Sequence, residues 1–247
     1  MVLRYARKGK KGRKATRKPK MSFDKRVLSV INKQRELKVA VITGTESING
    51  YITGGDLQQI LPDIAQADGE FNRDGNEITL KKIIVRGWIT QTIPNNDSRS
   101  RYVNRLMILR QKGTNSADLL AGAGADFKSN QLLENALPFN GDVKSLQTPV
   151  NRGAFVARYD RTHYLSVPPI SAGSVNAEGG DFQNSFKMFQ KTLTFGKGKK
   201  LYYQQGTSVQ PTNFDYVMCC GASSVDAIPI DTGLTLHYTC TAYYYDS

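Results

Sequence analysis

Residues 232–246, TGLTLHYTCTAYYYD, alternate apolar and polar positions. Leu234, Leu236, Tyr238, Cys240 and Ala242 form one set, and Thr235, His237, Thr239 and Thr241 the other. A period of two places the sets on opposite faces of a strand, one toward a core and one toward a more polar surface. Related segments recur at 36–43, 47–53, 76–93, 101–112, 154–167, 182–195, 199–205 and 214–222. They are rich in Val, Ile, Thr, Tyr and Phe, and Gly, Pro, Asn or Asp bound them. The pattern predicts eight or nine strands and no alternation of strands with helices, which excludes a doubly wound sheet. At 247 residues the chain is within the range of one all-β domain. The expected fold is all-β, a single eight-stranded antiparallel jelly roll. An immunoglobulin-like sandwich needs a Cys…Trp…Cys spacing. Here Trp88 is the only tryptophan and Cys219, Cys220 and Cys240 all follow it.

Three stretches break the pattern. Residues 114–150 read as a long loop insert with single helical turns near 118–121 and 130–136, and an insert of that length is usually functional. Residues 22–35 place Phe23, Val27 and Val30/Ile31 at helical spacing behind Ser22, which predicts a short helix or an extended arm. Residues 1–21 are cationic and low in apolar content, so disorder is expected. The organisation is thus an arm, 1–35, and a β domain, 36–247.

Charge sharpens that division. The net charge is +13, yet residues 1–26 hold twelve basic residues and one acid, Asp24, which leaves about +2 for the remainder. The twelve are Arg4, Arg7, Lys8, Lys10, Lys11, Arg13, Lys14, Arg17, Lys18, Lys20, Lys25 and Arg26. A polycation of this kind fits a polyanionic partner. Along nucleic acid it neutralises phosphates and releases condensed counterions. Only Tyr5 lies among the charges of residues 4–20, so backbone contact is expected rather than base stacking. Lys10, Lys11, Arg13, Lys14, Arg17, Lys18 and Lys20 also read as a nuclear import signal. A membrane-surface role lacks an apolar face in this segment, and no apolar run is long enough to span a bilayer.

Catalytic chemistry is hard to place. His163 and His237, the only histidines, sit in predicted strands, and Asp160 and His163 fall on opposite faces. FGKGKK (195–200) lacks the spacing of a phosphate loop and reads as a basic hairpin turn. Asp68, Glu70 and Asp74 read as solvated loop charge, and Cys and His are too few for a zinc site. No catalytic residue, metal site or cofactor is expected, and the chain reads as a structural or binding protein rather than an enzyme.

Several motifs carry a family likeness: the arm 4–20, VRGWITQTIP followed by RLMILRQK, YDRTHYLS, FKMFQKTLTFGKGKKLYY and the closing LTLHYTCTAYYYD. In this order they resemble capsid proteins of small circular single-stranded-DNA viruses, the circovirus-like group. The resemblance implies strands B at 36–43 or 36–53, C at 77–91, D at 101–112 and E at 154–167. F follows at 182–195, G at 199–205, H at 214–222 and I at 233–245. It implies a homo-oligomeric shell of about sixty copies with T=1 icosahedral symmetry, with arms turned inward onto a single-stranded DNA genome. It further implies a host nuclear import receptor, a cell-surface receptor of unknown kind, no membrane insertion, and location in the virion and, during assembly, the host nucleus. Coats of small RNA satellite viruses share the plan, and a nucleic-acid-binding β-barrel that forms no shell is the other alternative. Phe71, Phe139 and Tyr243–Tyr245 are candidates for contacts between copies.

Overall fold

The computed structural model describes Ser22, Phe23, Val27 and residues 36–91, 101–113, 127–166, 186–224 and 231–246. The chain divides into two compact units, Met1–Arg35 and Glu36–Ser247. In the first, the two helix-spaced residues that are described, Phe23 and Val27, are helical and exposed.

The second unit is all-β, with eight strands among its described residues. They are β1 (Leu37–Asn49), β2 (Gln58–Gln59), β3 (Glu77–Gln91), β4 (Arg101–Gln111), β5 (Phe155–Ser166), β6 (Phe186–Tyr202), β7 (Tyr216–Ser224) and β8 (Asp231–Asp246). They follow the order β5-β4-β7-β1-β8-β3-β6, with β2 on β7. Between β7 and β1 the link is a single parallel pair, Asn49 with Gly221. Four strands, β6-β3-β8-β1, therefore form one antiparallel sheet, and β5-β4-β7-β2 form the other. Joined at that one corner, the two make a barrel-like sandwich. No helix among the described residues is long and apolar enough to cross a membrane.

The predicted alternation holds along β8. Leu234, Leu236, Tyr238, Cys240, Ala242 and Tyr244 are buried between the sheets, where they meet Ile83, Val85 and Ile89 of β3 and Leu106 and Ile108 of β4. Each such aliphatic side chain contributes about 1.5–3 kcal/mol by leaving water. On β4 and β7, however, both faces are covered. Met107, Leu109, Val217 and Cys219 point away from the inter-sheet core into a second cluster with Phe127, Leu132, Leu133, Phe139, Val150 and Phe155. The adjacent Cys219 and Cys220 thus belong to different cores, as two neighbours on a strand must.

Three sequence expectations change. Gly44 does not end the first strand: β1 runs through it to Asn49 as one element. The glycine makes room for Tyr238, since a Cβ at residue 44 would come within 2.4 Å of that ring. Likewise, the expected F and G strands are one element. FGKGKK is a bulge rather than a hairpin turn, with residues 186–194 pairing to 82–90 and 199–202 to 77–80. Positive φ at Gly196 (59°) and Gly198 (115°) lets the strand absorb the register shift and continue. Finally, the described part of the 114–150 insert is not a free surface loop. It lays Leu132, Leu133, Phe139 and Val150 over the outer side of β4 and β7.

Candidate nucleic-acid interface and exposed faces

All twelve cations singled out in the arm, including the import-like cluster, lie outside the described residues. What the β unit adds is the chemistry of its faces and edges.

The insert is held by one arginine. Arg105 of β4 donates through Nε and Nη2 to the two carboxylate oxygens of Asp160 on β5, at 2.8 and 2.7 Å. Its Nη1 donates to the carbonyls of Ser145 and Thr148, each at 2.6 Å. Those carbonyls belong to the short helix α1 (Val143–Gln147) and the residue after it, where Asp142 caps the start by accepting from the Lys144 amide. The planar guanidinium satisfies both partners at once, which an ammonium would not. Asp160 is thereby engaged on the outer face, while His163 faces the sheet interior, the separation expected from their spacing.

The outer face of the β6-β3-β8-β1 sheet is open. Across it runs the row Thr45–His237–Trp88–Met188. His237 stacks on Trp88 at 4.9 Å and shares a 3.1 Å hydrogen bond with Thr45 Oγ1, so its role is structural. Met188 is 74 % exposed, Trp88 42 %, and Phe186 in the next row 49 %. These three make an apolar patch beside a more mixed row, Thr43–Thr239–Arg86–Gln190, in which Arg86 Nε donates to Gln190 Oε1 at 3.3 Å. Of the aromatic contact candidates, Phe71 is exposed, whereas Phe139 is 1 % exposed and packs in the second core. Phe139 is a core residue because Gly221, opposite its ring, leaves it space. In the closing tyrosine run, Tyr244 is buried and donates to the Phe71 carbonyl at 2.9 Å. Tyr243 lies under Lys82 (4.2 Å) and Tyr245 under Lys81 (5.2 Å).

Sequence reasoning missed a second cationic region. The two ends of the strand order, β5 and β6, approach each other without a ladder between their described residues. Arg158 Nη2 crosses this seam to the Thr194 carbonyl at 3.3 Å. Lys191 Nζ lies 6.0 Å from the centre of the Tyr159 ring. Arg161, Lys187 and His163 lie farther along the strands, and the two cations, after burial itself, push the His163 pKa down. At the other end Arg110, Arg158 and Lys199 surround Tyr216 at 6.0, 5.9 and 5.6 Å. Asp215 answers part of this charge, at 2.5 Å from Arg110 and 3.7 Å from Lys199. A signal was present in FKMFQKTLTF: Lys187, Phe189, Lys191, Leu193 and Phe195 recur every second residue, so the lysines share the inward face with core side chains.

Beside that cluster sits an unsatisfied pair. Asn104 of β4 is fully buried, directly opposite His163 of β5. Among the described residues neither atom of the Asn104 amide has a hydrogen-bond partner, and neither does His163 Nε2. A buried polar group without a partner costs about 1–3 kcal/mol. His237 is thus hydrogen-bonded through its ring, whereas His163 Nε2 finds no partner among the described residues.

The acid cluster Asp68, Glu70 and Asp74 is partly committed. Buried Lys38 reaches Asp74 at 3.1 Å and Asp246 at 2.6 Å. A cavity of about 330 Å³ near Glu46 also has several of its polar groups in use. Asp56 accepts from Asn49 and Thr53, and Tyr238 donates to Gln58.

No protein-family model matches the chain, and no curated protein matches it. Among solved structures, the chain is compared with one titled "Crystal structure of 60-mer BFDV Capsid Protein". The comparison covers 85 % of this chain and 93 % of that one, at 8 % identity and a TM-score of 0.19. A TM-score that low carries no argument about fold or function.

Proposed function

We propose that this chain is a viral coat subunit of circovirus-like kind. In this reading copies assemble into a closed T=1 shell of about sixty, and the cationic arm packages single-stranded DNA. The observation that carries the reading is the division of charge: a net +11 in residues 1–26, joined to an all-β unit that holds almost none of the excess. Genome phosphates would cancel the arms, and weakly charged bodies would pack side by side around closed symmetry axes. The open apolar patch of Trp88, Met188 and Phe186 supports the reading as a surface available for a neighbouring copy. The chemistry does not separate DNA from RNA; the preference for DNA comes from the sequence resemblance. Nuclear import through residues 10–20, location in the virion and a non-enzymatic role belong to the same proposal.

Size exclusion and negative-stain microscopy of the purified full chain test it. Uniform closed particles carrying nuclease-protected nucleic acid are expected. Deleting residues 1–20 is expected to remove the nucleic acid and leave the thermal transition nearly unchanged. A monomer that stays monomeric at every salt concentration and with added oligonucleotide would overturn the shell.

A further inference from the structure

The arm is not the only cationic element. Arg158, Arg161, Lys187 and Lys191 are drawn from the two unpaired edge strands, and Lys199 and Arg110 continue the line. The described acid among them is Asp215, which is committed to Arg110 and Lys199. Asp160, although on β5, faces the other way and is held by Arg105. Like charges set across an open seam repel, and the cost falls only when an anion enters or the strands separate. Main-chain pairing would close such a seam, yet β5 and β6 show no ladder between their described residues. A second observation points the same way. At the His163 end, a fully buried Asn104 keeps a donor and an acceptor without partners among the described residues, beside a His163 Nε2 in the same position.

We propose that the β5–β6 seam is a second nucleic-acid contact, in which Arg158, Arg161 and Lys191 hold the sugar–phosphate backbone of a single strand along the edge of the folded unit. It rests on the nucleic-acid-packaging reading and deepens it: the arm supplies most of the charge, and the seam supplies a fixed track. Phosphate contacts of this kind set position and carry little sequence preference. A nucleic-acid strand suits the site better than another copy of the chain, because the folded unit of a second copy is nearly neutral, whereas a strand brings a row of phosphates to meet the cations.

The test uses the full chain and a fluorescent thirty-residue oligo-dT strand. Binding is measured across a salt series for the unsubstituted protein, for Arg158→Gln/Arg161→Gln/Lys191→Gln, and for a control that removes the same charge from the insert and the turn after it, Lys128→Gln/Lys144→Gln/Arg152→Gln. Each phosphate contact contributes about 0.7 to the slope of log affinity against log salt. The seam variant is expected to lose about 2 from the slope, and the control distinctly less. Its thermal transition is expected to be no lower than that of the unsubstituted chain, since repulsion is relieved. If the triple variant does not fold, Arg161→Gln alone, an exposed position, is expected to remove about 0.7. Photocrosslinking with 4-thio-dT is expected to label peptides from 155–166 and 186–202. Equal slopes for seam and control variants, crosslinks confined to residues 1–35, or equal displacement of the strand by polyglutamate would each overturn the seam contact, while the arm-based packaging reading stands. Seam-dependent binding without closed particles would overturn the shell and leave the seam contact standing.

Discussion

Two buried arginines do different work at the scale of single residues. Arg73 is fully buried, and among the described residues its hydrogen-bond partners are carbonyl and amide oxygens rather than carboxylates. It donates to the carbonyls of Ile64, Gly75, Gln205, Gly206 and Ser208, and its guanidinium lies 4.1 Å from the Tyr203 ring centre. One charge thus satisfies loop carbonyls from two distant segments, 64–75 and 205–208, which secondary structure leaves unpaired. Arg73→Leu is expected to lower stability by at least about 3 kcal/mol in urea unfolding, since several buried acceptors lose their donor together. Arg105 is a paired charge, so its arithmetic differs. Arg105→Leu is expected to cost about 3–5 kcal/mol, because Asp160 is left uncompensated. The double variant Arg105→Leu/Asp160→Leu is expected to recover part of that loss. If the double is no better than the single, the carbonyl contacts to α1, rather than the ion pair, carry Arg105's contribution. Neither arginine announced its role in the sequence, because their partners lie up to 135 residues away.

Among the elements, β8 was legible and β6 was not. In β8 every second position from Leu234 to Tyr244 is apolar or aromatic and buried, so the period alone assigns its faces. In β6 lysines share the inward face with Phe189, Leu193 and Phe195, and GKG looks like a turn. What keeps that strand continuous is β3, whose register shift at Leu80/Lys82 accepts the bulge. Strand β1 repeats the point: Gly44 stops nothing, because the sheet needs it flat against Tyr238. Gly44→Ala is expected to cost about 1–3 kcal/mol through overpacking. Gly44→Ala/Tyr238→Leu is expected to cost less than the two single changes added together. Strict additivity in chemical denaturation would show that the close approach is not the source of the cost.

For the whole molecule, the groups that titrate at high pH lean one way. Burial raises the Tyr238 and Tyr244 hydroxyls to about 12, and Tyr203 beyond that. The Cys219 and Cys240 thiols rise to about 12 for the same reason. For Lys38, burial lowers the pKa, but hydrogen bonds to Asp246 and Asp74 outweigh it and lift the group to about 12. All these values exceed the unfolded ones, so the folded state holds more protons at high pH. The corresponding stability is complete at neutral pH. It is expected to fall from about pH 9, where unfolded thiols begin to ionise, through about pH 12. A thermal transition that stays level between pH 8 and pH 11.5 would contradict this. At this scale the sequence by itself determined the all-β class and the separation of a cationic arm from a nearly neutral body. Period-two patterning and net charge are local or additive properties that need no partner to be read. Only the tertiary structure decided that the insert roofs β4 and β7, that Phe139 is core, and that two edge strands bring their cations together at a seam. Those outcomes depend on which distant segments meet, and sequence periodicity contains no information about that choice.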